Sequence, residues 1–241
     1  MSKIGIITQA RMTSTRLPGK VLLKAGNKSL LALHLERLAT AGVPVFLATT
    51  VNRTDDPIVE ECRRLSIPCF RGDELDVLNR FSETAREFEL EHVVRVTSDC
   101  PLIDGAEIKK GIQLYLKEQS QNIYLSNCLR RTFPRGMDFE VFSAVRLFEA
   151  DQEATALSDR EHVTPYLNKN RSGQMILIDY LAPQDNSDLR LTVDESADFQ
   201  LIEELITKFH ANMLSVDRIV DLLRKHGELI RVNQHVEQKH L

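Results

Sequence analysis

Short apolar runs alternate with longer segments whose apolar positions recur at helical spacing through the first half of the chain. The runs predict strands over Lys3–Ala10, Val43–Thr50, Ile67–Arg71 and His92–Thr97, the last stopped by Pro101. Between them, Leu30–Ala41 is Leu-rich and ends at Gly42, a fitting residue just past a helix end. Asp56-Pro57 reads as an N-cap with Pro at the first helical position, opening a helix to about Leu65. Val77, Leu78, Phe81, Ala85 and Phe88 mark an amphipathic helix over Asp76–Glu89. A helix near Ala106–Glu118 and a strand near Asn122–Ser126 follow.

The second half is less regular. Gly136–Ser143 reads as a strand and Val145–Ala154 as a helix. Ser158-Asp159-Arg160-Glu161 fits a capping box that opens another helix. Gln174–Leu181 and Asp188–Val193 read as strands. Two amphipathic helices follow, one through Phe199, Ile202, Leu205, Ile206 and Phe209, the other through Val216, Ile219, Val220 and Leu223. The tail after Ile230 is polar and is expected to fray. No repeat, low-complexity tract or linker interrupts the chain. Its 241 residues fit one domain, 1–241, with an irregular dimerisation and acceptor segment near 130–182 and C-terminal helices over 196–227.

Alternating apolar strands and helices predict an α/β fold, a three-layer sandwich with a mostly parallel central sheet covered on both faces. Ligands of such sheets bind beyond the carboxyl ends of the strands. That directs attention to the loops after Ala10, Thr50, Arg71 and Thr97.

Composition narrows the function. Hydrophobic residues make up 42% and charged residues 27%, which excludes a disordered or fibrous chain. Lys plus Arg is 31 against 35 Asp plus Glu, a net of −4, which argues against a general nucleic-acid binder. The chain has no Trp and four Tyr, so platforms for stacking bases are scarce. No run approaches the ~20 apolar residues that span a bilayer, and the start lacks a signal-peptide cleavage pattern. Cys62, Cys69, Cys100 and Cys128 form no CxxC pair and no zinc spacing. They read as reduced thiols of a cytoplasmic protein.

The segment Arg11-Met12-Thr13-Ser14-Thr15-Arg16-Leu17-Pro18-Gly19-Lys20 carries the most chemistry. It joins the first strand to the first helix, and it combines cations, hydroxyls and a Pro-Gly turn. Such a loop suits a polyphosphate. It has neither Walker A nor GxGxxG spacing. On composition alone it fits a solvated basic loop equally well.

The pattern RxxSxRLPGK after a first strand resembles the cytidylyltransferases that make CMP-activated sugar acids. These include the acylneuraminate and 3-deoxy-manno-octulosonate enzymes. The resemblance is strongest to the SpsF-like branch, named for a spore coat polysaccharide biosynthesis protein. Three further segments match it in order: Arg95–Asp104 (RVTSDCPLID), Ser158–Tyr166 (SDREHVTPY), and Leu189–Asp194 (LRLTVD) followed by Asp198-Phe199. Together the matches reach to about Phe209. Thr13 and Ser98 stand where the branch usually carries glycine.

The resemblance implies a nucleotide-diphospho-sugar transferase-like fold and Mg²⁺-dependent transfer of CMP from CTP to a hydroxyl of a sugar acid or related polyol. Asp99 and Asp194 are the implied Mg²⁺ ligands, in keeping with a hard cation that takes one or two carboxylates; each could instead cap a following helix. Arg11, Lys20, Asp99 and Asp194 form the implied catalytic set. Ala10, Arg11, Ser14, Arg16, Lys20, Arg71 and Asp99 form the implied nucleotide site, with Arg71 near the cytosine. Arg71 could equally be a surface arginine at a strand end, and Thr49 and Thr50 either wall the base pocket or cap their strand.

Asp138, Glu140, Arg160 and His162 are the implied acceptor residues. Glu161 fits the capping box on its own, and His162 could be a packed helix residue. No dedicated general base stands out. The other histidines, His34 among them, read as structural or surface residues. By analogy the chain forms a homodimer; neither nucleic acid nor membrane is an expected partner. Two alternatives remain at this point. A nucleotide-sugar glycosyltransferase usually holds its metal with Asp-x-Asp, which the chain lacks. A non-catalytic nucleotide-binding protein would not need Arg11, Lys20, Asp99 and Asp194 together.

Overall fold

The computed structural model describes residues 3–237. In chain order the elements are β1 (Ile4–Gln9), β2 (Lys24–Ala25), β3 (Lys28–Ser29), α1 (Leu30–Ala39), β4 (Val45–Thr50), α2 (Asp56–Arg64), β5 (Cys69–Gly72), α3 (Val77–Glu87), β6 (His92–Thr97) and α4 (Gly105–Lys117). Then come β7 (Ile123–Ser126), β8 (Glu140–Ser143), α5 (Ala144–Glu153), α6 (Leu157–His162), α7 (Pro165–Asn168), β9 (Ile176–Asp179), α8 (Ser196–Phe209), α9 (Val216–Lys225) and α10 (Gly227–Asn233).

Among these residues seven strands form one sheet in the order β5-β4-β1-β6-β8-β7-β9. β1 pairs in parallel with β4 and β6, and β4 with β5. β8 runs antiparallel between β6 and β7, the exception in a mostly parallel sheet. Successive strand residues face opposite layers. Ile6, Leu47 and Val94 pack with Leu35, Ile58 and Ile108 on one face. Ile7, Phe46 and Val93 pack with Phe81, Ala85 and Leu147 on the other. A third cluster joins α8 and α9 to Leu30, Leu33, Leu191 and Val193. Among the described residues no helix is long and apolar enough to cross a membrane, and all four cysteines are free thiols.

The expected elements need four corrections. The predicted strand over Asp188–Val193 is a single parallel bridge, Arg135 to Arg190. The segment spans two loops instead of pairing along one strand: Arg135 N donates to Leu189 O at 2.9 Å and Val193 N donates to Asp99 O at 2.8 Å. Gly136 lies against its backbone with φ +95°, and a Cβ there would sit 2.6 Å from Leu191 C, so only glycine fits.

The Ser158 capping box does not form. α6 begins at Leu157 after Ala156 with no side-chain cap, and Ser158 turns to Asp159 at 3.4 Å. Asp55, not Asp56, precedes α2. The tail past Ile230 continues as α10 because Asn233 is buried, donating to Arg190 O at 3.1 Å and Asp198 Oδ1 at 2.8 Å. The final residues, 238–241, lie outside the described residues.

His34 on α1 is fully buried and ties two strand ends together. Its Nε2 meets Thr8 Oγ1 at 2.9 Å and its Nδ1 meets Cys100 O at 2.8 Å. Burial pushes its pKa down from 6.5 to about 4. Below pH 6.5 the unfolded chain therefore binds a proton that the folded protein refuses. Stability should be full above pH 6.5 and fall by about 3 kcal/mol as pH drops to about 4. Urea unfolding of wild type and His34→Gln across that range checks this, with the variant showing the flatter dependence. Equal slopes would mean that His34 is not the titrating group.

Candidate active site

The loop after β1 turns at Gly19, whose φ of +68° suits glycine, and Gly19 N donates to Met12 O at 2.9 Å. Buried Asp55 anchors it, accepting from Met12 N at 2.8 Å and also from Thr49 and Thr50. Thr49 Oγ1 also donates to Ala10 O at 2.9 Å, and Ala10 N donates to Ala48 O at 3.2 Å. Ala10 thus lends the site its methyl wall, with its own backbone groups already bonded. Glu74 holds the outer side of the loop, accepting from Thr13 Oγ1 and from Asn52 Nδ2 at 2.6 Å, with Arg11 at 3.5 Å. The two residues that replace usual glycines therefore face protein partners: Thr13 meets Glu74, and Ser98 Oγ meets Thr8 Oγ1 at 2.9 Å.

Two distant segments converge on Lys20. Its Nζ donates to Asp99 Oδ2 at 3.0 Å, Asp194 Oδ1 at 2.9 Å and Val193 O at 2.7 Å. Arg16 reaches Asp194 Oδ1 at 2.9 Å, and Arg190 reaches Asp194 Oδ2 at 2.8 Å and Asp198 Oδ1 at 2.8 Å. Burial by itself would raise the Asp99 pKa, but the Lys20 ammonium holds it at about 2. Burial would likewise lower Lys20, and Asp99 and Asp194 override it, keeping the ammonium charged. Neither carboxylate caps a helix: Asp104 caps α4, and Glu195 caps α8 in a capping box with Asp198.

Ala10, Arg11, Ser14, Arg16, Lys20, Asp99, Asp194 and His162 line one cleft of about 260 Å³. His162 arrives from α6 just before buried Val163, whose φ of +71° makes a tight turn closed by Thr164 N donating to His162 O at 2.8 Å. Burial lowers the His162 pKa.

Four predicted site residues are not among those that line the cleft. Arg71 braces the loop after β4, donating to Thr50 O and Asn52 O at 2.8 Å each and pairing with Asp56 at 2.7 Å. Asp138 is held by both Nη atoms of Arg131, at 2.5 and 2.8 Å. Glu140 is buried with Arg95, Tyr124 and Thr164. Arg160 pairs with Asp76 and Asp151 at 2.5 and 2.8 Å.

Sequence reasoning passed over Gln9, Arg80 and Arg190. Gln9 Oε1 and Arg80 Nε are buried without a hydrogen-bond partner, and both residues line the cleft. Burial, then the Arg11 charge, lowers Arg80 to about 10, still cationic at neutral pH. The available signal was a charged residue on the buried stripe Val77-Phe81-Thr84 of α3. Arg190 stood in the sequence only as part of the matching segment Leu189–Asp194, and its contacts alone reveal its role. A divalent cation suits the donors at Lys20, since two carboxylates and a carbonyl already surround one positive charge. Among the described residues no group of three or more His, Cys, Asp or Glu gathers as a metal site, but Mg²⁺ needs only one or two carboxylates beside substrate phosphates.

The cytidylyltransferase family model matches residues 5–239. The uncharacterized protein MJ1063 of Methanocaldococcus jannaschii is 36% identical, over 99% of this chain and 97% of its own length. The spore coat polysaccharide biosynthesis protein SpsF of Bacillus subtilis is 30% identical, over 95% and 97%. A cytidylyltransferase structure from Leptospira borgpetersenii superposes with a TM-score of 0.92 at 33% identity, covering 100% of both chains. CMP:2-keto-3-deoxy-manno-octonic acid synthetase complexed with CTP shares the fold, with a TM-score of 0.62 at 17% identity, over 86% of this chain and 100% of its own. The chain belongs to the cytidylyltransferase family and is a nucleotidyltransferase of the nucleotide-diphospho-sugar transferase fold.

Proposed function

We propose that the protein transfers CMP from CTP to a hydroxyl of a sugar acid or related polyol, with Mg²⁺, for surface polysaccharide synthesis. The observation that carries this is the convergence of Asp99 and Asp194 on Lys20 beside the cationic loop after β1. The acceptor hydroxyl attacks the α-phosphorus, the bond to the β-phosphate oxygen breaks, and pyrophosphate leaves. Lys20 and Arg11 take up phosphate charge and Ser14 donates a hydrogen bond. Asp99, Asp194 and Val193 O would hold the Mg²⁺. When bound, it supplies positive charge at the phosphates and eases loss of the acceptor's hydroxyl proton. His162 borders the same space with its imidazole kept neutral by burial, able to accept a hydrogen bond from a sugar hydroxyl.

The orphan acceptor Gln9 Oε1 and orphan donor Arg80 Nε suit the base. Cytosine presents an amino donor beside a ring acceptor, whereas uracil inverts both. A homodimer through the second half belongs to the same reading, with β9 at the sheet edge exposing Ile176 (52%) and Leu177 (41%).

Calorimetric titration of CTP, UTP, ATP and GTP, with and without Mg²⁺, tests the assignment. A CTP preference that strengthens with Mg²⁺ is expected; binding of a nucleotide-sugar but no triphosphate would overturn it. Asp99→Asn should remove the Mg²⁺ dependence of CTP binding, and unchanged dependence would exclude Asp99 as a ligand. Gln9→Leu should cut the CTP-over-UTP preference by about tenfold, the order of one lost hydrogen bond; an intact preference would place base selection elsewhere. Lys20→Ala should lower kcat by about 10²–10³, as expected for one lost electrostatic contact in the transition state. Pyrophosphate release with an identified acceptor reads this, and a change of only a few-fold would take Lys20 away from the phosphates.

A further inference from the structure

We propose that in the nucleotide-free protein the Lys20 ammonium itself occupies the divalent-cation position, so that the cation enters with the triphosphate and not ahead of it. The inference rests on the reading of Asp99 and Asp194 as the cation's ligands. An ammonium has three N–H donors, and here each has its own oxygen: Asp99 Oδ2 at 3.0 Å, Asp194 Oδ1 at 2.9 Å and Val193 O at 2.7 Å. Lys20 is 9% exposed and has no donor left for a phosphate. A Mg²⁺ ion binds oxygen at about 2.0–2.1 Å, so the ion and the ammonium cannot share these three oxygens.

Charge balance points the same way. Lys20, Arg16 and Arg190 oppose Asp99, Asp194 and Asp198 in one connected cluster, three cations against three carboxylates. Glu195, more exposed, stands 3.7 Å from Arg16, while in the same cleft Arg11 and Arg80 add positive charge and Glu161 adds one negative charge. Among the described residues a bare divalent ion therefore meets carboxylates already paired with cations. A triphosphate changes both conditions at once. Its anionic oxygens draw the ammonium off the carboxylates, and its charge compensates the incoming ion. The flexible four-carbon stem of Lys20 allows that swing without moving backbone. Until then the buried carboxylates stay paired, which avoids the cost of leaving them as uncompensated charges.

The test titrates Mn²⁺ alone, without nucleotide, into full-length wild type, Lys20→Met and the double variant Lys20→Met/Asp99→Asn. Loss of the free-ion electron paramagnetic resonance signal reports binding. Lys20→Met should bind one Mn²⁺ at least tenfold more tightly than wild type, and the double variant should lose that gain. Equal affinity in wild type and Lys20→Met, or a gain that survives Asp99→Asn, would overturn the proposal. The wild-type arm stands even if Lys20→Met fails to fold, as thermal melting would show: one tight Mn²⁺ per chain without nucleotide overturns the proposal, and its absence supports it when equilibrium dialysis with CTP shows one Mn²⁺ per chain retained with the protein above the Mn²⁺–CTP level of the protein-free side. CTP calorimetry on wild type reports separately on the cytidylyltransferase reading, so the two failures are distinguishable.

Discussion

Asp99 and Asp194 stand far apart along the chain, yet their carboxylates share one ammonium in a largely buried pocket. Two carboxylates so close, taken out of water, repel each other and lose solvation, so they persist only with positive charge between them. Much of the second half of the molecule serves that requirement. The extended segment from Leu189 to Val193 carries Asp194 to the end of β6, tied at Arg135 on one side and Asp99 on the other. Arg190 holds Asp194 from behind, Asp198 holds Arg190, and Asn233 of α10 closes the chain of contacts. Removing one member of such a buried network typically costs about 3–5 kcal/mol, because it strands a charge.

A second layer of contacts fixes the loop after β1. Asp55 grips its inner backbone and Glu74 its outer side chains, while Arg71 secures the neighbouring loop after β4. These groups come from successive carboxyl ends of parallel strands, where the sheet topology places the loops side by side. Preorganisation of this kind matters for phosphate chemistry, since positioning and charge supply most of the catalysis.

Charged residues were the easiest to notice in the sequence and the hardest to assign. Arg160 lies in one of the four matching motifs and Arg71, Asp138 and Glu140 lie between them, yet each is engaged by an oppositely charged neighbour within the protein. The sequence shows that a charge is present, whereas its partner stands anywhere from 7 to 84 positions away. Arg80 shows the converse. It sits inside an amphipathic pattern that reads as plain core, and only packing reveals an unpartnered guanidinium nitrogen at the cleft.

Strand and helix order, the sandwich architecture, and the loops to watch were legible in the sequence, because burial imposes periods of 2 and 3.6 on apolar residues and parallel strands collect their loops at one end. The four motifs also sufficed to indicate the family. What only the tertiary structure decided were the features made by long-range contact. These are the antiparallel insertion of β8, the reduction of Asp188–Val193 to a bridge, the burial of α10, and the meeting of Lys20 with Asp99 and Asp194. None of these leaves a local period in the chain. Each depends on which distant groups must satisfy a buried backbone amide or a buried charge, and that requirement exists only once the chain has folded.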